Sequence, residues 1–276
     1  MTALRFSILG PVEAHWEGRP VELGPPQRRA VLAALLLAEG RTVTVAALRD
    51  AIWKASPPAS AISAIQVHVH HLRKALGALP RERENADGPP RLVTHPGHPA
   101  DQVSYALHVA EGTVDAERFR TLARRADEAG AHGGTAEALA LLDAALALWR
   151  GDPLAGLRIR DFHADHVLGL RDLRLDLVKR RAAALLATGA TARATAELRQ
   201  LRAEHPADEQ IVVLLATALR QGGAHAGALD LVKGEVERWQ REYGVRPPSL
   251  LRELSGSSDN PARSDNAVRS DSNGSL

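Results

Sequence analysis

The chain contains no cysteine, which excludes a disulfide framework, a thiolate metal site and a cysteine nucleophile, and suits a reducing compartment. Long apolar runs are also missing: the longest candidate, 30–38, falls far short of the ~18 residues that a membrane-spanning helix needs. The opening residues, MTALRFSILGPVEAHWEG, lack a basic stretch followed by an apolar one, so no export signal and no membrane partner are expected, and the chain is assigned to the cytoplasm. There is no Gly-x-Ser-x-Gly, phosphate-binding loop or dinucleotide fingerprint, so the sequence argues for neither an enzyme nor a cofactor. A large charge of one sign is absent as well. The pI near 9.3 accompanies a formal charge of only +2, because two tyrosines and few lysines leave little to titrate just above neutrality. Residues 1–110 hold 12 Lys/Arg against 9 Asp/Glu, 111–254 hold 21 against 21, and 255–276 hold 2 against 3. Attraction to a polyanion must therefore come from local arrangement, with Arg28, Arg29, Arg73, Lys74 and Arg91 as the candidates.

One stretch lacks acid altogether: Ala61 to Gly77, AISAIQVHVHHLRKALG. At helical spacing, Ile62, Ile65, Val69, Leu72 and Leu76 form one stripe, Ser63, Val67, His70, His71 and Lys74 lie opposite, and Gln66 and Arg73 flank them. An acid-free outer face suits a helix laid in the DNA major groove, where a carboxylate would be repelled by phosphate; an ordinary solvated amphipathic helix has the same pattern. A catalytic metal at His68, His70 and His71 is disfavoured, since residues 70 and 71 diverge by about 100° on a helix.

The flanks add context. Three short strand-like runs, Leu4–Leu9, Val12–Trp16 and Pro20–Leu23, are separated by turn signals and read as a meander. Pro26–Ala38 reads as a helix with proline in its first turn, and Thr44 can cap a second helix, Val45–Trp53, ended by Ser56-Pro57-Pro58. After the third helix, Arg91–Thr94 and Ser104–Val109 are β-prone runs joined by a Pro/Gly loop. A helix-turn-helix followed by a hairpin is a winged helix.

From Asp115 onward the pattern is helical only, with breaks at Gly130–Gly134, Gly189 and Gly222–Gly223. Gly189, Ala192 and Ala194 recur as Gly223, Ala226 and Ala228, a shift of 34 residues, the tetratricopeptide period. Gly133, Ala138-Leu139 and Trp149 recur as Gly223, Ala228-Leu229 and Trp239. Stacked helix pairs of this kind commonly hold another protein; a plain helical bundle is the alternative, and Trp149 and Trp239 read as packing residues. The segment 255–276, rich in Ser, Asn and Asp, is expected to be a disordered tail.

The order of elements and the residues PPASAISAIQVHVHHLRKALG (57–77) resemble the OmpR-type winged helix that opens the Streptomyces antibiotic regulatory proteins. Val114-Asp115-Ala116-Glu117-Arg118-Phe119, Ala147-Leu148-Trp149-Arg150-Gly151-Asp152-Pro153-Leu154, Glu204-His205-Pro206 and Tyr243-Gly244-Val245-Arg246-Pro247 resemble recurring words of the helical bacterial transcriptional activation domain that comes after it in that family. The resemblance covers residues 4–254. It implies a mainly α chain: a DNA-binding winged helix-turn-helix with small β-sheets over 1–110, an all-α tetratricopeptide-like activation domain over 111–254, then the tail.

The resemblance further implies a cytoplasmic, nucleoid-associated activator of a secondary-metabolite (antibiotic) gene cluster. It would bind promoter direct repeats in double-stranded DNA as a side-by-side dimer and recruit RNA polymerase holoenzyme. Ser63, Gln66, Val67, His70 and His71 would face base edges, Gln66 suiting adenine and Val67 a thymine methyl. Arg73 and Lys74, with Arg28 and Arg29, would contact phosphate, and Arg91 would belong to the wing. Three departures stand out: His70-His71 where the family commonly has Ser-Arg, a long polar linker at 80–90, and a wing in which Gly97 is separated from Tyr105-Ala106-Leu107. The lost arginine leaves open a second reading, a tetratricopeptide-type protein-interaction adaptor whose winged helix no longer binds DNA.

Overall fold

A computed structural model of the chain describes residues 4–53, 56–79, 90–99, 102–157 and 164–244. All but Pro90 of the polar linker, and the whole serine-rich tail, lie outside the described residues. Contacts divide the chain into two compact units, 1–181 and 182–276. The change of composition near residue 110 is therefore not where packing divides.

In the first unit, strands β1 (Leu4–Ser7), β2 (Glu13–Trp16) and β3 (Arg19–Pro20) form an antiparallel meander. Alternation buries Leu4 and Phe6 and leaves Arg5 exposed. The third strand is shorter than the expected run Pro20–Leu23: proline lacks the N–H a ladder needs, and past it only the Val21 N–H reaches Ala14 O, at 2.8 Å. Helix α1 (Pro26–Leu37) carries Pro26 in its first turn and buries every residue from Ala30 to Leu37, which makes it the central helix of this unit. Glu39 and Gly40, both at positive φ, turn the chain out of it.

A two-residue strand β4 (Val43–Thr44), too short to leave a periodic signal, precedes helix α2 (Val45–Trp53). As expected, the Thr44 hydroxyl caps α2, accepting from the Ala47 N–H at 3.1 Å. Helix α3 (Ala61–Gly77) packs on α1 and α2. Strands β5 (Arg91–His95) and β6 (Ser104–His108) form the expected hairpin despite the interrupted motif, with β6 also paired to β4.

The meander is tied to segments far along the chain. The Phe6 N–H donates to Thr113 O at 2.9 Å, and Asp115, the first residue of helix α4 (Asp115–Ala131), turns its buried carboxylate onto the end of β1. It accepts from the Ile8 N–H at 2.8 Å and the Leu9 N–H at 3.0 Å. Burial pushes this carboxyl above its ordinary range, and those backbone donors offset part of the shift. On the other side, the Arg150 and Leu154 N–H groups donate to Leu9 O and Ile8 O at 2.8 and 3.0 Å. Helix α5 (Thr135–Leu146) pairs with α4, and Trp149 packs edge-on against Phe119 with ring centroids 5.5 Å apart.

The division between units falls inside helix α6 (Ala164–Ala187). The second unit continues with α7 (Thr191–Glu204), α8 (Glu209–Gln221) and α9 (His225–Tyr243). Its buried Glu235 is held by Arg202, at 3.0 Å, and by Arg238. The repeat seen in sequence is a repeated helix stop. Gly133, Gly189 and Gly223 adopt φ near +80°, and the next residue's N–H reaches back five residues, Gly134 to Ala129 O, Ala190 to Leu185 O and Ala224 to Leu219 O, at 2.8–2.9 Å. Ala138, Ala194 and Ala228, five residues past each glycine, are all buried, which explains why small residues recur there.

Asp115→Asn would set an amide N–H₂ or an emptied acceptor against the Ile8 and Leu9 donors. It should destabilise the chain by about 2–4 kcal/mol, read from the midpoint of urea unfolding. A loss below about 0.5 kcal/mol would show that the carboxylate is dispensable.

Candidate nucleic-acid interface

Helix α3 separates its residues much as its periodicity predicts. Ile65, Val69, Leu72 and Leu76 are buried and Ile62 is half-buried, while Ser63, Gln66, Val67, His70, His71, Arg73 and Lys74 are all exposed. Val67 leaves 52% of its surface open, an apolar contact point on an otherwise polar and basic face. No acidic residue interrupts the face. The rings of His70 and His71 meet edge to face at 5.8 Å.

His68 behaves differently from its neighbours. It is only 9% exposed, and neither ring nitrogen has a hydrogen-bond partner. Burial, then the nearby Arg28 and His71, depress its pKa, so the neutral imidazole is the form that fits. A ligand pair of His68 with His71 is thereby disfavoured, since one ring is enclosed and the other is solvent-facing. Among the described residues no group of three metal-ligating side chains forms.

The predicted cations differ in how far each is committed. Lys74 stands free on the outer face of α3. Arg28, half-buried at the start of α1, reaches toward the same helix: its charge is the largest influence depressing His71. Its Nε is buried without a hydrogen-bond partner, and its guanidinium lies so close to Gly24 that an added Cβ there would sit 2.5 Å from Nη1. The φ of +81° at Gly24 is what calls for glycine there, since the arginine end could shift away from a Cβ. Arg29 instead closes the same turn, donating from Nε to Gly24 O at 3.0 Å.

Arg73 joins α3 to the hairpin. Its Nε donates to Leu92 O at 2.9 Å, its Nη2 donates to the Thr94 hydroxyl, and its guanidinium lies 5.9 Å from the Tyr105 ring centre. Two of its N–H edges are used, which fixes the plane of the group while leaving others facing solvent. Thr94 and Tyr105, partners about 20 and 30 residues away, are invisible to a reading by helical period. Arg91 stands exposed at the end of β5 remote from the connecting loop, opposite His108. The described part of that loop presents exposed His98 rather than a permanent cation.

These contacts can be tested by substitution. Arg73→Lys keeps the charge but loses the Nε–H donor, so amide exchange along β5 and β6 should accelerate about tenfold, measured by hydrogen–deuterium exchange; unchanged protection would mean that Arg73 does not hold the hairpin. His68 has a folded-state pKa below its unfolded one. It contributes stability above the unfolded value of about 6.5 that is lost as pH falls through the folded value. His68→Leu should flatten this acid dependence in thermal melts between about pH 7 and 5.

Comparison with known proteins agrees with the geometry. The family described as "Transcriptional regulatory protein, C terminal" matches residues 18–87, and the "Bacterial transcriptional activator domain" family matches 114–257. The chain is 38% identical over 253 residues to the "Regulatory protein AfsR" of Streptomyces coelicolor, covering 91% of this chain and 24% of that protein. It thus spans about a quarter of that relative's length. With the "Regulatory protein DnrI" of Streptomyces peucetius it shares 31% identity, covering 91% of this chain and 90% of that protein. Among solved structures, "Mycobacterium tuberculosis EmbR in complex with low affinity phosphopeptide" superposes with a TM-score of 0.79 at 30% identity, over 95% of this chain and 67% of that one. With two family patterns in tandem order and an exposed, acid-free helix in the first, the chain belongs to the Streptomyces antibiotic regulatory proteins, a family of DNA-binding transcriptional regulators.

Proposed function

We infer that the chain activates a secondary-metabolite biosynthetic cluster, binding promoter direct repeats as a head-to-tail dimer and recruiting RNA polymerase through the helices of 111–254. Activity of this kind belongs to the cytoplasm and the nucleoid. The observation that carries the reading is the outward face of α3, where Val67 and a row of polar or basic residues stand exposed with no carboxylate among them. In the major groove Gln66 pairs with adenine, Val67 covers a thymine methyl, and Ser63, His70 and His71 meet neighbouring base edges. Lys74 and the spare N–H edges of Arg73 take phosphate, as does Arg28; Arg29, committed to its turn, and Arg91, at the root of the hairpin, contribute less. Arg73 is oriented before DNA arrives, so less side-chain entropy is lost on binding. Segments 1–110 and 111–254 are read as the DNA-reading and activating parts, respectively.

Selection of genomic fragments by the purified chain, beside a Gln66→Ala/Lys74→Ala variant, tests this. Short direct repeats should be enriched by the intact chain and lost in the variant, with log affinity falling steeply against log salt. No enrichment by the intact chain would favour the protein-interaction adaptor.

The histidine pair adds a pH dependence. Arg28, with lesser contributions from desolvation, His70 and Lys74, holds the free His71 imidazole below its ordinary value, whereas phosphate draws it upward. Binding then takes up a proton, and affinity falls as pH rises. Between about pH 6 and 8 the chain should lose more affinity than a His70→Arg/His71→Arg variant; parallel profiles would remove the histidines from the interface.

A further inference from the structure

Away from α3, the first compact unit contains a cavity of about 270 Å³, close to the lower end of the usual range for small-molecule sites. Its floor is apolar, built from Leu36 of α1, Leu107 of β6, and Val114 and Ala116 at the start of α4, all buried. Its polar lining is Glu39, His108, Glu117 and Arg120. Arg120 pairs with Glu39, and both charges also act on Glu117. On Glu117, one carboxylate oxygen accepts from the Gly112 N–H at 3.1 Å, and among the described residues the other has no hydrogen-bond donor. Burial, with the neighbouring Glu111 and Glu39 charges, pushes the Glu117 carboxyl above its ordinary range, and Arg120 only partly offsets this. The site thus couples an apolar floor to one under-compensated carboxylate.

We propose that this cavity is a ligand site for a small apolar molecule bearing a single protonated amine, with its hydrocarbon part on the Leu36–Leu107–Val114 floor and its ammonium on Glu117. An anion is disfavoured by Glu117 and Glu39, and an uncharged ligand leaves the free oxygen of Glu117 without a cation. Because the lining comes from the end of α1, from β6 and from α4, an occupant bridges the helix that supports α3 and the helix that begins the activating part, within one compact unit. A small metabolite seated there would bias how rigidly α3 is carried.

The test is calorimetric titration of the full chain with 2-phenylethylamine, beside 2-phenylethanol and phenylacetate as uncharged and anionic controls of similar shape. The amine should bind saturably at one site and more tightly than either control. Glu117→Gln, which can still accept from Gly112, should weaken the amine about tenfold while leaving the melting transition in place. Glu39→Gln releases Arg120 and should shift preference toward phenylacetate. Absence of saturable binding, preference of the unaltered chain for phenylacetate, or amine affinity indifferent to both substitutions would each overturn the proposal. None of these readouts involves DNA, so they stand or fall apart from the promoter-binding reading.

Discussion

The Asp115 carboxylate sits where two backbone donors of the N-terminal segment, those of Ile8 and Leu9, emerge from the end of the β1 ladder with no strand to receive them. Burying those N–H groups unpaired would cost ~1–3 kcal/mol each. A carboxylate at the first residue of a helix is well suited to the position, because it also faces the positive end of the α4 dipole. The companion carbonyls of Ile8 and Leu9 are taken by the N–H groups of Leu154 and Arg150. One short segment is therefore held on both sides by residues more than 100 positions away. This is why the meander, the buried helix α1 and the α4–α5 pair share a continuous core, in which Phe6, Leu35 and Phe119 are all enclosed.

That core fixes α1, and α1 in turn determines how α3 is carried. The apolar stripe of α3 is spent on the interior, so every residue on its other face is available to a partner, and the hairpin is referred to it through Arg73. The arrangement carries an internal tension. A histidine occupies a buried position where an aliphatic residue would pack without unmet polar atoms, and a guanidinium beside it is half-buried without an acceptor of its own. Unpaired polar groups in that condition are costly, so the packing around both residues has to hold them in place.

Much of this fold is legible from spacing. The limits of α2 and α3, the exposed and buried faces of α3, the Thr44 cap and the two hairpin strands come from apolar period, turn residues and proline positions. The recurring glycine–alanine spacing announces the helix stops because only a residue tolerant of positive φ serves there. Whatever depends on distant partners escapes such a reading. β4 is two residues long and exists because β6 offers an edge; the Arg28 charge beside His68 comes from another helix; the anchoring of Arg73 depends on Leu92 and Thr94. Asp115 is recognisable as part of a family word, yet nothing in its neighbourhood in sequence points to Ile8 and Leu9.

The most direct measurement is site-specific photo-cross-linking, with a benzophenone amino acid in place of Val67 in the full chain bound to promoter DNA. A recognition role for α3 predicts cross-links to bases that unlabelled cognate duplex competes away, and none when the same group replaces Leu168, an equally exposed apolar residue on α6. Cross-links of equal yield at both positions, or none at position 67 while DNA is bound, would contradict that role.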